Sequence, residues 1–290
     1  MTAPSTDLST DLSTDLSSDS SADLPADLPA HLPADLPADR TLKTLRTYRR
    51  GPLQTIELHV PEQGNVVSEA MLDDLLTVLG DQDEAVKVVV LAAAGDDFCL
   101  GGDRTEYAQH LAGDPAGSGI RTSVAKARRV CDALAANPAV TIARVHGKAV
   151  GAGVGLALAC DLRAGSDTAT FRLPELALGL PTAWGGLLPR LINEAGAARV
   201  RELILSGRTF GAHEALSMSI LQRVVPADGL DAAVTAWAKP VIRRPAPALR
   251  VTKALLNSLT APARLADASV LDPELMAAVA TEVYHARGAD

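Results

Sequence analysis

The chain of 290 residues is 47% hydrophobic and only 3% aromatic. Its formal charge is −8, and the eight Asp and one Arg of residues 1–40 account for −7 of it. The remaining residues are therefore nearly neutral, which excludes the large basic face of a nucleic-acid-binding protein. No apolar run reaches the roughly 18 residues of a membrane span, and three widely spaced cysteines without a CxxC pair are typical of a reduced, cytoplasmic protein.

Residues 1–41 are predicted to be a disordered acidic tail. A four-residue repeat, first TDLS and then ADLP, runs through residues 5–39. Leucine at every fourth position could form a helical stripe, but proline recurs at the same spacing from Pro25 to Pro37 and excludes a continuous helix. A docking segment for a partner protein is the alternative. We expect the folded domain to begin at Leu42.

Strand and helix signals alternate through the first half of the folded chain. Ser68 can cap a helix whose apolar residues from Met71 to Leu79 follow the helical period, and a second helix is predicted over Ser123–Ala136. Residues 113–119 are expected to be a mobile loop. Apolar runs predict a series of strands: Leu53–Val60, Val86–Ala92, Val140–Val145, Leu162–Arg163 and Thr168–Leu173.

After Trp184 the apolar residues follow a helical period almost throughout. The predicted helices are Leu187–Asn193, Ala197–Leu205, Ala212–Met218, Leu230–Ile242, Ala246–Leu256 and Pro273–His285. Alternating elements followed by helices predict an α/β core over residues 42–235 and a helical C-terminal region over residues 236–290.

Two glycine turns, Gly101-Gly102-Asp103 and Gly151-Ala152-Gly153, each follow an apolar strand. Either turn alone can simply satisfy backbone geometry. As a pair they suggest two backbone N–H groups that converge on one oxygen and stabilise an oxyanion or enolate. A dinucleotide fingerprint would need a glycine where the chain has Leu156, and the phosphate-binding pattern GxxxxGK[ST] does not occur.

Glu175 is the candidate base among the titratable residues. It follows Pro174 in the apolar stretch FRLPELALGL, where burial would raise the pKa of the carboxyl group. The alternative is a glutamate that merely stabilises a helix start. His59 and His146 are expected to be structural, and no HExxH, CxxC or similar spacing predicts a metal site.

Seven segments in a fixed order together resemble the enoyl-CoA hydratase/isomerase (crotonase) superfamily over residues 45–260. They are Pro61…Asn65, FCLGGD (98–103), VHGKAVGAGVGLALACD (145–161), FRLPELALGL (171–180), WGGLLPRL (184–191), GRTFGAHEALSMSILQRVVP (207–226) and APALRVTKALL (246–256). The resemblance implies a crotonase-like spiral core of ββα units with a helical C-terminal region. It also implies an acyl thioester of coenzyme A as substrate, with no permanently bound cofactor.

The resemblance also implies roles for individual residues. The oxyanion hole falls on the backbone N–H groups of Gly102 and Ala152, and the base falls on Glu175. Trp184 and Leu187 are expected to line the acyl pocket. Taken together, the expected substrate contacts are Leu100, Asp103, Gly151, Gly155, Trp184 and Leu187.

The chain departs from the family pattern at Gly155, where hydratases of the family carry the first of two water-holding glutamates. One remaining carboxylate favours isomerase-type proton transfer. A hydratase, a biosynthetic decarboxylase and a catalytically silent partner subunit are the alternatives. Val60 stands before Pro61 where many members have a basic residue, and the usual basic C-terminal tail is absent. The acyl group is therefore expected on either coenzyme A or a carrier protein.

The family also implies a homotrimer or hexamer in which residues 236–290 form the trimerisation region. Apolar side chains on the late helices offer surface for such contacts. They are Ala232, Val234, Trp237 and Ile242.

Overall fold

The computed structural model of the protein describes residues 39–260 and 268–288. The predicted acidic tail lies outside these residues as far as residue 38. Its last two residues, Arg40–Thr41, form the edge strand β1 of the main sheet, so regular structure begins just before the expected boundary at Leu42.

The strands and helices follow one another along the whole described chain. The remaining strands are β2 (Leu45–Arg50), β3 (Leu53–Leu58), β4 (Val88–Ala93), β5 (Val140–Val145), β6 (Lys148–Val150), β7 (Leu162–Ser166), β8 (Thr170–Arg172), β9 (Thr209–Gly211) and β10 (Arg223–Val225). The α-helices are α1 (Glu69–Gly80), α2 (Arg104–Gly113), α3 (Ser118–Ala135), α4 (Ala152–Leu158), α5 (Leu187–Ala195), α6 (Ala197–Ser206), α7 (Ala212–Ser217), α8 (Leu230–Ile242), α9 (Ala246–Thr260) and α10 (Asp272–Gly288). Short 3-10 helices span Pro61–Gln63, Glu175–Leu178, Ala227–Gly229 and Ala268–Leu271.

A seven-stranded sheet in the order β1-β2-β3-β4-β5-β7-β10 forms the centre of the fold. The strands from β3 to β10 pair in parallel, whereas β1, β2 and β3 form an antiparallel meander. All six residues of β4 are buried, as a valine-rich strand covered on both faces requires. A second sheet, β6-β8-β9, lies beside the main one.

Helices cover both faces of the main sheet, which separates two apolar cores. α1 and α3 pack on the larger core, while α8 packs against β4, β5 and β7 on the other face. The Ser68 hydroxyl accepts a hydrogen bond from the Met71 amide at 3.2 Å and so caps α1 as predicted. The α/β class with a helical C-terminal region is confirmed.

The region expected to be a mobile loop is shorter than predicted, because helices extend into it from both ends. α2 ends at Gly113 and α3 begins at Ser118, which leaves only a short turn. The Asp114 carboxylate closes that turn by accepting hydrogen bonds from the amides of Ala116 at 3.0 Å and Ser118 at 3.2 Å. Only Leu111 of α2 is buried, so this helix has no apolar period to read.

The apolar residues expected to contact other subunits lie mostly within the subunit's own fold. Val234 and Ile242 are buried against the sheet, and Trp237 stacks on the Arg223 guanidinium at 4.6 Å from its ring centroid. The assignment was wrong for Val234 and Ile242, because α8 needs these side chains for its own packing, whereas Ala232 is exposed. Exposed apolar side chains lie instead on α9: Val251, Leu255, Leu256 and Leu259. Within residues 39–260 and 268–288, no helix has both the length and the apolarity to cross a bilayer.

Candidate active site

The two glycine turns predicted to act together lie against each other. The Val150 amide donates a hydrogen bond to the Cys99 carbonyl at 2.9 Å, which joins the two segments. A Cβ atom on Gly153 would lie 2.5 Å from that same carbonyl oxygen, so only glycine fits there. Gly151 has φ +49° and ψ −109°, a backbone conformation that residues with a side chain rarely adopt.

The backbone N–H groups of Gly102 and Ala152 are available to a ligand. The residues on either side of Gly102 are held by Val67, whose amide donates to the Gly101 carbonyl at 2.8 Å and whose carbonyl accepts from the Asp103 amide at 3.0 Å. Ala152 begins α4, where an amide has no acceptor within the helix. Neither amide donates a hydrogen bond within the described part of the chain, and both residues line one cavity of about 260 Å³.

The Glu175 carboxylate lies over the second turn in the same cavity. An ideal Cβ atom on Gly151 would be 2.9 Å from Glu175 Oε1, so the absence of a side chain at Gly151 makes room for the carboxylate. Glu175 Oε2 is shut off from solvent and has no hydrogen-bond partner among the described residues. Burial raises the pKa of the carboxyl group to about 6, and a hydrogen bond with its own backbone opposes the shift.

The space next to Gly155 is filled by the indole ring of Trp184. A Cβ atom on Gly155 would lie 2.8 Å from both Cε3 and Cζ3 of that ring, which is 5% exposed and lines the cavity. The position therefore offers no room for a larger side chain unless the ring moves. The sequence suggested that the missing side chain at Gly155 leaves empty space, but the Trp184 ring occupies that space.

Three of the expected substrate contacts do not line the cavity around Glu175. Gly155 lies behind the Trp184 ring, and Leu187 is buried beside it, with its Cβ atom 3.9 Å from an ideal Cβ on Gly155. Asp103 caps α2, because its carboxylate accepts hydrogen bonds from the amides of Thr105 at 2.9 Å and Glu106 at 3.1 Å. The other expected contacts do line it: Leu100, Gly151 and Trp184.

Tyr107 belongs to the site but was not predicted. Burial raises the pKa of its phenol to about 12, and its hydroxyl is in polar contact with the side chains of Ser123 and Trp184. A Cβ atom on Gly102 would lie 3.6 Å from this hydroxyl oxygen. The available signal was spacing, since Tyr107 lies one helical turn after the Asp103 cap. Met276 of α10 also lines the cavity, and no local motif indicates that.

His146 has a structural role, as expected, and the three cysteine thiols are buried. His146 Nε2 donates to the Gly95 carbonyl at 2.8 Å, and burial lowers the pKa of the ring. Burial raises the pKa of all three cysteine thiols to about 12: Cys99, Cys131 and Cys160. Across the described ranges, His, Cys, Asp and Glu side chains form no group of three or more that could hold a metal ion.

Comparison with known proteins identifies one family. A family model described as enoyl-CoA hydratase/isomerase matches residues 49–286. A probable enoyl-CoA hydratase of Mycobacterium avium is 38% identical over 181 residues, which are 62% of this chain and 68% of the relative. A probable enoyl-CoA hydratase of Mycobacterium bovis is 31% identical over 219 residues, which are 75% of this chain and 82% of the relative.

Solved structures agree with these relatives. An enoyl-CoA hydratase/carnithine racemase from Magnetospirillum magneticum has a TM-score of 0.72 at 28% identity, covering 79% of this chain and 86% of its own. An enoyl-CoA hydratase from Mycobacterium smegmatis has a TM-score of 0.70 at 29% identity, covering 84% of this chain and 90% of its own. The predicted resemblance is confirmed: the chain has the crotonase fold and belongs to the enoyl-CoA hydratase/isomerase family.

Proposed function

We propose that the protein is an acyl-thioester isomerase that moves a double bond by proton transfer through Glu175. The substrate would be a 3-enoyl thioester of coenzyme A or of a carrier protein, and no permanently bound cofactor would be needed. The proposal rests on one observation. The Glu175 carboxylate lines the same cavity as two backbone N–H groups that donate no hydrogen bond within the described chain, while the Trp184 ring fills the space beside Gly155.

The proposed reaction begins at the thioester carbonyl. Its oxygen accepts hydrogen bonds from the backbone N–H groups of Gly102 and Ala152. Glu175 removes a proton from C2, and the electron pair of that C–H bond forms a C1–C2 double bond as negative charge moves to the oxygen. The protonated Glu175 then delivers the proton to C4. The carbonyl re-forms, and the double bond now joins C2 and C3.

The environment of Glu175 suits a base in this reaction. With a pKa of about 6 the carboxyl group is mostly ionised at neutral pH, yet it is a stronger base than an ordinary exposed carboxylate. The buried Oε2 has no hydrogen-bond partner among the described residues that would stabilise the charge, which keeps the carboxylate basic. Hydration would also need a second group to hold water, and the indole ring beside Gly155 offers only carbon atoms on that side.

Two arginines could take over part of the coenzyme A binding that Val60 cannot provide. Arg104 and Arg172 are exposed and line the same cavity as Glu175. Arg172 Nε donates to the Gly207 carbonyl at 2.9 Å, which fixes the position of that side chain. Guanidinium groups bind phosphate oxygens well, so we infer that Arg104 and Arg172 bind the phosphates of the carrier group.

The experiment is product analysis by mass spectrometry in heavy water. The protein is incubated with a 3-enoyl-CoA, with the 2-enoyl-CoA crotonyl-CoA and with a malonyl-type thioester. Isomerisation converts the 3-enoyl-CoA into a 2-enoyl-CoA without the mass gain of one water, with deuterium at C4 only to the extent that protonated Glu175 exchanges with solvent, and Glu175→Gln should abolish this conversion. Glu84→Gln, at an exposed residue outside this cavity, is the matched control. Full turnover by Glu175→Gln would refute the proposal.

A hydratase is the second candidate, favoured by the names of the relatives. The probable enoyl-CoA hydratases of Mycobacterium avium and Mycobacterium bovis carry that activity in their names. In the same experiment, a hydratase adds the mass of one water to crotonyl-CoA. Decarboxylation would instead remove carbon dioxide from the malonyl-type thioester, and a silent partner subunit would change none of the three.

We further propose a homotrimer or a hexamer formed from two trimers. Exposed apolar side chains support subunit contacts, both on α9 and around a separate apolar cavity of about 820 Å³. That cavity includes Leu176, Ile192, Leu205 and Leu275. Light scattering at micromolar concentration tests this, and a monomer would contradict it.

A further inference from the structure

The sheet face beneath α8 changes from apolar to polar along the direction of its parallel strands. Leu53, Val90 and Ile142 lie in the apolar core that α8 covers. Side chains two residues apart along a strand lie on the same face of the sheet. The residues that follow on this face are therefore polar or small, such as Glu57 after Leu53 and Arg144 after Ile142. α8 covers only the apolar part.

A cavity of about 430 Å³ lies where this face becomes polar. It is lined by residues that directly follow three parallel strands: His59 after β3, Ala94 after β4 and His146 after β5. Ligands of open α/β sheets bind outside the carboxyl ends of the strands. None of its lining residues lines the Glu175 cavity, so this α8-side cavity is a separate site.

Glu57 fixes the orientation of His59 in the α8-side cavity. Glu57 Oε2 accepts a hydrogen bond from the Tyr48 hydroxyl at 3.0 Å and lies 3.1 Å from His59 Nδ1. A carboxylate can only accept, so the Nδ1 atom carries the proton in the neutral ring. His59 Nε2 is then an acceptor, and it hydrogen-bonds to no other described residue.

Two further polar groups of the cavity have unused hydrogen-bonding capacity. Thr55 is 3% exposed, and its buried hydroxyl has no hydrogen-bond partner among the described residues. Arg46 has no ion pair with any described carboxylate, and it contacts the Tyr48 hydroxyl. Arg144, in contrast, is engaged by Asp231.

We propose that the α8-side cavity binds a small anion that also carries a hydroxyl group. Inorganic phosphate, which keeps a P–OH group at neutral pH, and a 2-hydroxy carboxylate share this chemistry. The Arg46 guanidinium binds the anionic oxygens, which it suits in geometry and charge. His59 Nε2 accepts a hydrogen bond from the ligand hydroxyl. The buried Thr55 hydroxyl donates a hydrogen bond to an oxygen of the ligand. This binding goes beyond the thioester chemistry at Glu175 and does not depend on it.

The experiment is calorimetric titration of the full chain with three probes: inorganic phosphate, glycolate and acetate. Glycolate differs from acetate by one hydroxyl group, so its affinity should be about tenfold higher, the effect of one added hydrogen bond. His59→Phe should remove this difference between the two probes. Tighter binding of phosphate than of glycolate would identify inorganic phosphate as the ligand class, and the reverse order a hydroxy carboxylate.

Variants connect the binding to this cavity. Arg46→Gln should weaken both phosphate and glycolate by tenfold or more, and Thr55→Val, which keeps the shape of the side chain, should weaken both by a smaller factor. Arg201→Gln, at an exposed arginine on α6, is the matched control and should bind like the wild type. No saturable binding of any probe, equal affinity for glycolate and acetate, or wild-type binding by Arg46→Gln would overturn the proposal.

Discussion

Replacement of Glu175 by glutamine should stabilise the folded protein in a pH-dependent way while it abolishes turnover. Burial raises the pKa of this carboxyl group from 4.5 to about 6. The folded state therefore binds the proton more tightly than the unfolded state. The ionised group then costs folding free energy, and this cost appears as the pH rises through the window between 4.5 and 6.

The linkage relation gives the size of the effect. The cost is about 0.8 kcal/mol at pH 5 and about 2 kcal/mol at pH 8, where it has reached its full value. Glutamine carries no charge, so the free energy of unfolding of Glu175→Gln relative to wild type should rise by about 1.2 kcal/mol between these two pH values. Any pH-independent cost of burying the amide cancels in this comparison.

The assay is urea unfolding of both proteins at pH 5 and pH 8, with Glu84→Gln as the exposed control. The control should differ from wild type by the same small amount at both pH values. If the stability difference between Glu175→Gln and wild type does not change with pH, the conclusion that burial raises the pKa of this carboxyl group is refuted. The reasoning on its strength as a base would then fail as well.

Four further predictions concern the same cavity. The kcat/KM of the wild type should fall tenfold per pH unit below about pH 6 as Glu175 takes up a proton, and a profile flat to pH 5 would contradict this. Gly151→Ala should abolish turnover and lower the free energy of unfolding by about 1–3 kcal/mol, because φ at this residue is +49° and the added Cβ would contact Glu175. A variant as stable in urea as the wild type would contradict this prediction. Gly155→Glu should destabilise the fold by about 1–3 kcal/mol by overpacking against Trp184, and Trp184→Ala in the same chain should recover part of that loss if the clash is the cause. In steady-state kinetics, Arg104→Gln should raise KM for the coenzyme A thioester about tenfold and leave kcat unchanged. An unchanged KM would show that Arg104 does not bind the phosphates.

The elements that the sequence predicts well are those whose residues alternate between the core and solvent, or that are wholly buried. β5 was predicted with its observed bounds, and α1 begins after Ser68 as its capping residue indicates. α2 was missed because only Leu111 of this helix is buried. A helix that is held by its capping residue and by one apolar contact shows no helical period of apolar residues in its sequence.

The candidate site was only partly predictable for a related reason. Motifs identify residues whose own backbone or side chain is unusual, and this is why Gly102, Ala152 and Glu175 could be proposed from the sequence. Tyr107 and Met276 line the cavity because of tertiary packing, one from α2 and the other from α10. Gly155 illustrates the converse error. A glycine in a motif shows that a side chain is missing, but not that Trp184, which is distant in sequence, occupies the space.

The close approach of Gly153 to the Cys99 carbonyl has a consequence for how new specificities can arise in this protein. The two donors of the proposed oxyanion hole are main-chain groups, and the distance between their segments is set by backbone packed on backbone. The cavity wall, in contrast, consists of side chains such as Trp184, Tyr107 and Met276. Substitutions in that wall can therefore change which acyl group fits while the charge-stabilising groups keep their positions, so selection can act on substrate choice separately from the chemistry.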